Sequence, residues 1–240
     1  MKAISMSRCT FPALAVLALA VAPVSAQNEQ LQERVAALKQ AAAANQEALT
    51  HYTWQETRTV IIKGEVKKTE KFQVRFGSDG KQLKTPIDPD ATVGSGGRKH
   101  GIKHRVVEKK TAEYEEYGEK LGALAHLYAH PDPAKLQTAY QAGKITIGPS
   151  GNPDENRLVI QDYAKAGDTV TISFDQVQKV LMSVQILSYL DDPSDKANIV
   201  VKFARVPDGP GYPANIGVEG VGKQLAVGIQ NSDYKKLPAQ

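Results

Sequence analysis

At Tyr52 the hydrophobic period of this chain changes from 3.6 residues to 2, and most of the later chain keeps the shorter period. Before the change, Leu31, Val35, Leu38, Ala42 and Leu49 recur at spacings of three, four or seven. Such spacing puts them on one face of a helix. The Ala41–Ala44 run has high helix propensity, and Asn28 suits the N-cap, so a helix is expected over 28–50. After the change, Tyr52, Trp54, Val60 and Ile62 alternate with polar residues, as do Val66, Phe72, Val74 and Phe76. Gly64 lies between the two runs, which reads as a β-hairpin. A three-residue loop, Lys63-Gly64-Glu65, pairs Ile62 with Val66, Trp54 with Val74 and Tyr52 with Phe76. It also sets Arg58 opposite Glu70. A loop two residues longer opposes like charges, which cost several tenths of a kcal/mol per pair, so the shorter loop is expected.

The period of 2 returns late in the chain. Strands are expected over 157–163, 169–174, 179–190, 198–206, 215–221 and 224–234, joined by short connections that favour antiparallel neighbours. Gly217, Gly220, Gly222 and Gly228 mark bends or close approaches in the last hairpin. Between the two β regions, residues 88–104 lose all period and read as a flexible basic loop. A helical insertion follows over 106–142. Its first helix buries Tyr114, Tyr117, Leu121, Leu124 and Tyr128, and Pro131 and Pro133 end it. A short helix over 133–142 ends at Gly143, where a left-handed cap is expected. About eight strands with one apolar face and helices with one apolar stripe must bury each other. The expected fold is α+β, a curved antiparallel half-barrel packed on an N-terminal helix and the helical insertion.

The N-terminus bounds the compartment. Lys2 and Arg8 precede an apolar run from Phe11 to Ala22, and Val24-Ser25-Ala26 offers a small-residue cleavage site. This is the pattern of a secretory signal, and the run falls short of the roughly 20 residues that span a bilayer. Residues 1–26 are expected to be a cleaved leader, leaving one exported α+β domain over 27–240, periplasmic or extracellular. The single cysteine, Cys9, lies in the leader, so the remainder is expected to hold no disulfide, thiol nucleophile or thiolate metal site. The formal charge of +4 rests on 30 bases and 26 acids. Lys2 and Arg8 leave with the leader, so 28 bases face 26 acids. That balance does not point to nucleic acid.

No residue pattern supplies a catalytic set. His126 and His130 share helical metal spacing but lack a closed ligand set, and Gly94-Ser95-Gly96-Gly97 matches no phosphate-binding loop. No cofactor is expected. Arg98, Lys99, Lys103 and Arg105 form a basic patch that suits an anionic membrane surface or a solvated loop. Glu56 and Arg58 stand on the face that Tyr52, Trp54, Val60 and Ile62 make apolar. Buried charges are rarely unpaired, so Arg58 requires Glu70 or Glu56, or holds a ligand's polar group.

The opening Tyr52-Thr53-Trp54-Gln55-Glu56-Thr57 and the turn Val206-Pro207-Asp208-Gly209-Pro210-Gly211-Tyr212-Pro213 complete a likeness. With the leader, the N-terminal helix and the strand order, they resemble the LolA-like, outer-membrane lipoprotein-sorting-like periplasmic superfamily. The insertion over 88–142 departs from the archetypal carrier. The resemblance implies a half-open barrel whose helices face an apolar cavity that takes acyl chains. The expected function is non-catalytic binding of a lipid, lipoprotein acyl chain or other apolar ligand. Candidate wall residues are Trp54, Arg58, Val60, Phe72, Val74, Val184 and Ile186. The alternative is an envelope protein whose concave face is filled by its own helices.

Overall fold

The computed structural model describes residues 44–87, 102–129, 132–149, 155–175, 177–178, 180–207 and 209–238. The leader and its cleavage point, most of the helix expected over 28–50, and residues 88–101 with Arg98 and Lys99 lie outside these residues. So do His130 and the side chains of Lys103 and Arg105. The described residues fall within one compact unit, residues 41–240.

Helix α1 (residues 44–50) leads into β1 (Tyr52–Ile62), and β2 (Glu65–Phe76) returns beside it. The loop between them is one residue shorter than expected. Lys63 (φ 54°) and Gly64 (φ 79°) are both left-handed, the geometry of a tight hairpin turn that follows strand twist. Ile62 therefore pairs with Glu65, and Ile61 with Val66. A bulge at Lys67 takes up the missing residue. From Val60 opposite Lys68 onward the expected register holds, with Arg58 opposite Glu70 and Trp54 opposite Val74.

Strand β3 (Gln82–Pro86) is followed by α2 (Ile102–Ala129) and α3 (Pro133–Gln141). Helix α2 starts at Ile102, inside the stretch expected to be loop. In α3 the carboxylate of Asp132 accepts from Ala134 N at 2.9 Å, Pro133 occupies the first turn, and Gly143 follows at φ 67°. Then come β4 (Ile145–Pro149), β5 (Glu155–Gln161), β6 (Thr169–Asp175), β7 (Val180–Tyr189), β8 (Lys196–Arg205), β9 (Gly211–Gly220) and β10 (Leu225–Lys236). Ten strands form one antiparallel sheet in the order β3-β2-β1-β10-β9-β8-β7-β6-β5-β4. The two edges do not pair with each other, so this is an open half-barrel. Strands β3 and β4 were not expected. Both are five-residue edge strands ending in proline, a common way to blunt a sheet edge, and all five residues of β3 are exposed. Strand β3 has no buried residue and so no period to read, and in β4 Ile145 packs against the core while Ile147 on the same face is 66% exposed.

One face of the sheet takes the helices. Tyr117, Leu121 and Leu124 of α2 and Ala139 of α3 form a core with Ile160, Val170, Ile186, Ala197, Ile199 and Leu225 from β5 to β10. Polar anchors fix how α2 lies. The Tyr117 hydroxyl donates to Asp195 at 2.6 Å, in the β7–β8 turn. The Tyr128 hydroxyl donates to Asp168 at 2.6 Å, before β6, and sits 2.9 Å from Ser188 on β7. Eleven helical residues rise about 16 Å, and three strand spacings are about 14 Å. Helix α2 thus crosses the strands at the end carrying these turns. At the other end Asn45 of α1 exchanges two hydrogen bonds with Gly211, each 2.8 Å.

Candidate functional site

Period-2 geometry puts Trp54, Glu56, Arg58 and Val60 of β1 on the helix-side face. Across β2, Val74 stands opposite Trp54 and Phe72 opposite Glu56. Across β10, Asn231 stands opposite Glu56 and Ile229 opposite Arg58. All seven candidate wall residues lie on this face, but they divide by environment. Trp54, Val74 and Ile186 are buried, Val74 at 0% exposure. Val60 and Val184 pack against the core. Phe72 and Arg58 are half-buried. With them on the same face, Val201, Ile216, Val227 and Ile229 are half-buried and stand outside the core cluster. An apolar strip thus runs between the core under α2 and an aromatic group at the opposite end.

That aromatic group is built by four strands, β2, β1, β10 and β9. Trp54 stacks on Tyr234 of β10 (5.3 Å between centroids, 6° between planes), and Phe76 and Tyr212 complete it at 5.5 and 4.0 Å from Trp54 and Tyr234. A bulge next to Asp233 (φ 54°) brings Tyr234 onto this face.

Glu56 sits where the aromatic group meets the strip. It is 4% exposed, and such a carboxylate requires partners. It has two. Arg58 Nη2 is 3.2 Å from one oxygen and Lys84 Nζ of β3 is 2.5 Å from the other. Arg58 faces Glu70 in register, yet Glu70 pairs with Lys68 at 2.9 Å. Residues two apart on a strand share a face, and both acids take the cation on their own strand. Two cations on one carboxylate leave one positive charge in excess. The Arg58 guanidinium also lies 5.7 Å from the Phe72 ring centre, within cation–π range.

Three buried side-chain polar atoms lack a hydrogen-bond partner among the described residues: Nε1 of Trp54, Nε of Arg58 and Oδ1 of Asn231. All three surround Glu56. Trp54 and Arg58 flank it on β1, and Asn231 faces it from β10. The Asn231 amide is oriented by its NH₂ group, which donates to Pro213 O at 2.8 Å. An unmet buried polar group costs about 1–3 kcal/mol, and these three gather around one doubly paired carboxylate. Two donors await an acceptor and one acceptor awaits a donor.

Asn231 belongs to the alternation Leu225, Val227, Ile229, Asn231, and a polar residue ending an apolar face was its available signal. Lys84 lies on a strand without period and had none. His126 is exposed, and no group of three metal-ligating side chains occurs among the described residues.

Burial is the main cause that raises the phenols of Tyr117, Tyr128 and Tyr234 above the ordinary tyrosine value. Next in order come the bonds to Asp195 and Asp168 for the first two and neighbouring Tyr212 for the third. Tyr117 is pushed up to about 12. Folding therefore favours the protonated phenol. This contribution is whole below the unfolded value of about 10 and is lost as pH rises toward 12. In an alkaline titration, tyrosinate absorbance is expected to rise in two stages, the second coinciding with loss of near-ultraviolet circular dichroism. Simple single-stage ionisation with the fold intact at pH 12 would contradict this.

No family model matches the chain, and no curated protein matches it. Two solved structures are similar to it. One is a DUF1329 family protein from Desulfovibrio piger, at 11% identity, covering 84% of this chain and 92% of that one, with a TM-score of 0.40. The other is a LolA superfamily protein from Nitrosomonas europaea, at 10% identity, covering 84% of this chain and 94% of that one, with a TM-score of 0.39.

Proposed function

We propose that this chain is an exported, non-catalytic binding protein for a lipid or other acyl-chain ligand. The ligand's chain lies along the strip of Phe72, Val201, Ile216, Val227 and Ile229. Its polar head meets Arg58, Trp54 and Asn231. The observation that carries the reading is the gathering of three unpartnered buried polar atoms around a doubly paired Glu56, at the end of a half-buried apolar strip. A carboxylate, ester or phosphate oxygen satisfies both donors, and the surplus positive charge suits an anionic head. Each methylene taken from water contributes about 0.8 kcal/mol, so six give about 5 kcal/mol without any catalytic group. Export is supported by the charged, apolar and small-residue stretches over 1–26.

Native mass spectrometry of protein purified from its own envelope is expected to find a dissociable lipid mass. Arg58→Ala leaves Glu56 its Lys84 partner, so the variant should fold with a modest fall in Tm. It should bind dansyl-undecanoic acid at least about tenfold more weakly, as expected for a charge-assisted hydrogen bond. A clean apo mass with no uptake of the probe would sink the proposal. It would favour the second reading, an envelope protein with a self-filled face, which the burial of Trp54, Val74 and Ile186 supports.

A further inference from the structure

The face of the sheet turned away from the helices carries a shallow, open depression of about 520 Å³. It spans four neighbouring strands in two adjacent rows. Thr59, Gly228, Gly217 and Val200 form one, and Thr57, Gln230, Asn215 and Lys202 form the other. The floor is the facing pair Gly217 and Gly228.

These two glycines face each other across β9 and β10, and no internal contact requires either of them. Neither lies in the left-handed region, and a Cβ on either would meet nothing within 4 Å. Glycine inside a strand weakens it, and close approach of another molecule to the backbone is one use for it there. The walls are equally uncommitted. The side chains of Thr57, Thr59, Lys202, Asn215 and Gln230 have no hydrogen bond or ion pair among the described residues. Five uncommitted polar groups converge on a bare patch of backbone.

We propose that this trough binds a saccharide chain bearing a carboxylate. Hydroxyls and amides both donate and accept, which matches sugar hydroxyls. The paired glycines offer a flat floor of Cα–H and peptide groups on which a sugar ring can lie. Lys202 supplies one cation and no acid lines the trough, so a single carboxylate is matched. A polyphosphate backbone calls for several cations.

Nuclear magnetic resonance titration of the full exported chain with tetragalacturonate and with neutral cellotetraose tests this. Tetragalacturonate is expected to shift the amide resonances of Thr57, Thr59, Gly217 and Gly228. Cellotetraose should bind about fivefold more weakly, the scale of an exposed ion pair, and Lys202→Ala should remove that difference. Gly228→Val fills the trough and should abolish binding while leaving Tm within about 3 °C, since its side chain meets open space. Uptake of dansyl-undecanoic acid on the opposite face should be unchanged in both variants, which separates this site from the head-group site. No shift with either sugar would overturn the proposal, as would equal binding of both. A fall of about 10 °C or more in Gly228→Val would also overturn it, because the glycines would then serve the sheet itself.

Discussion

Replacing Asp168 with alanine is expected to destabilise the protein by about 3–5 kcal/mol, because several buried donors lose one common acceptor. Asp168 is 1% exposed. Its carboxylate accepts from the backbone N–H groups of Tyr163 (2.6 Å), Ala164 (2.8 Å) and Lys165 (2.8 Å), and from the Tyr128 hydroxyl (2.6 Å). Successive N–H groups turned inward make a concavity for an anion, and here the anion is the chain's own. Alanine cannot answer any of them. In a chain of this size the loss corresponds to a fall in Tm on the order of 10 °C. Asparagine keeps an acceptor oxygen but turns an NH₂ toward the donors, so Asp168→Asn should fall between alanine and wild type. Tyr128→Phe removes a single partner and should cost about 1–2 kcal/mol. Differential scanning calorimetry of the three variants checks the ranking. Equal stability of Asp168→Ala and wild type would mean that solvent reaches this turn, and that Tyr128 does not anchor the end of α2.

Gly220→Ala is the second large effect, expected at about 2–3 kcal/mol from overpacking. A Cβ there would stand 2.5 Å from Cε1 and from the hydroxyl oxygen of Tyr117. That ring cannot simply swing aside. It is 7% exposed and its hydroxyl is held by Asp195, which also accepts from Gly222 N at 2.9 Å. Even at Gly222 a Cβ would come within 2.6 Å of the same Asp195 carboxylate. Helix α2 and the β9–β10 turn are thus fitted to one another through glycine. Urea unfolding should give a lower midpoint for Gly220→Ala with the same slope. Combining it with Tyr117→Ala should cost less than the sum of the two single changes, since both act on one contact. Additive costs would show that the contact is not the cause. Gly217 and Gly228 on the same two strands provide the contrast, because nothing lies where their side chains would go.

The four glycines of the last hairpin illustrate what the linear chain makes legible. Their presence marks close approaches or bends, and that much follows from composition. Whether a given glycine answers to Tyr117, to Asp195 or to no internal group depends on which helix crosses the strands. The first hairpin behaves similarly. Side-chain pairing put Arg58 opposite Glu70 correctly, because cross-strand charge is read residue by residue. Turn length came out one residue long, because a bulge at Lys67 changes the count without changing the pairs beyond it. The partner of Arg58 was narrowed to two acids, and only the folded geometry selects Glu56. Lys84 could not enter that choice, since it stands on an edge strand whose residues are all exposed.

Taken alone, the sequence determined the class of fold: two β regions, amphipathic helices, and a single apolar face on which both must meet. Periodicity is local, and burial against one face imposes it on every strand that has an inner side. Tertiary structure alone decided the register between distant strands, the short edge strands β3 and β4, and the meeting of Trp54, Glu56 and Arg58 with Asn231. Those depend on contacts such as Asn45 with Gly211, 166 residues apart, and no local period encodes a contact across that distance.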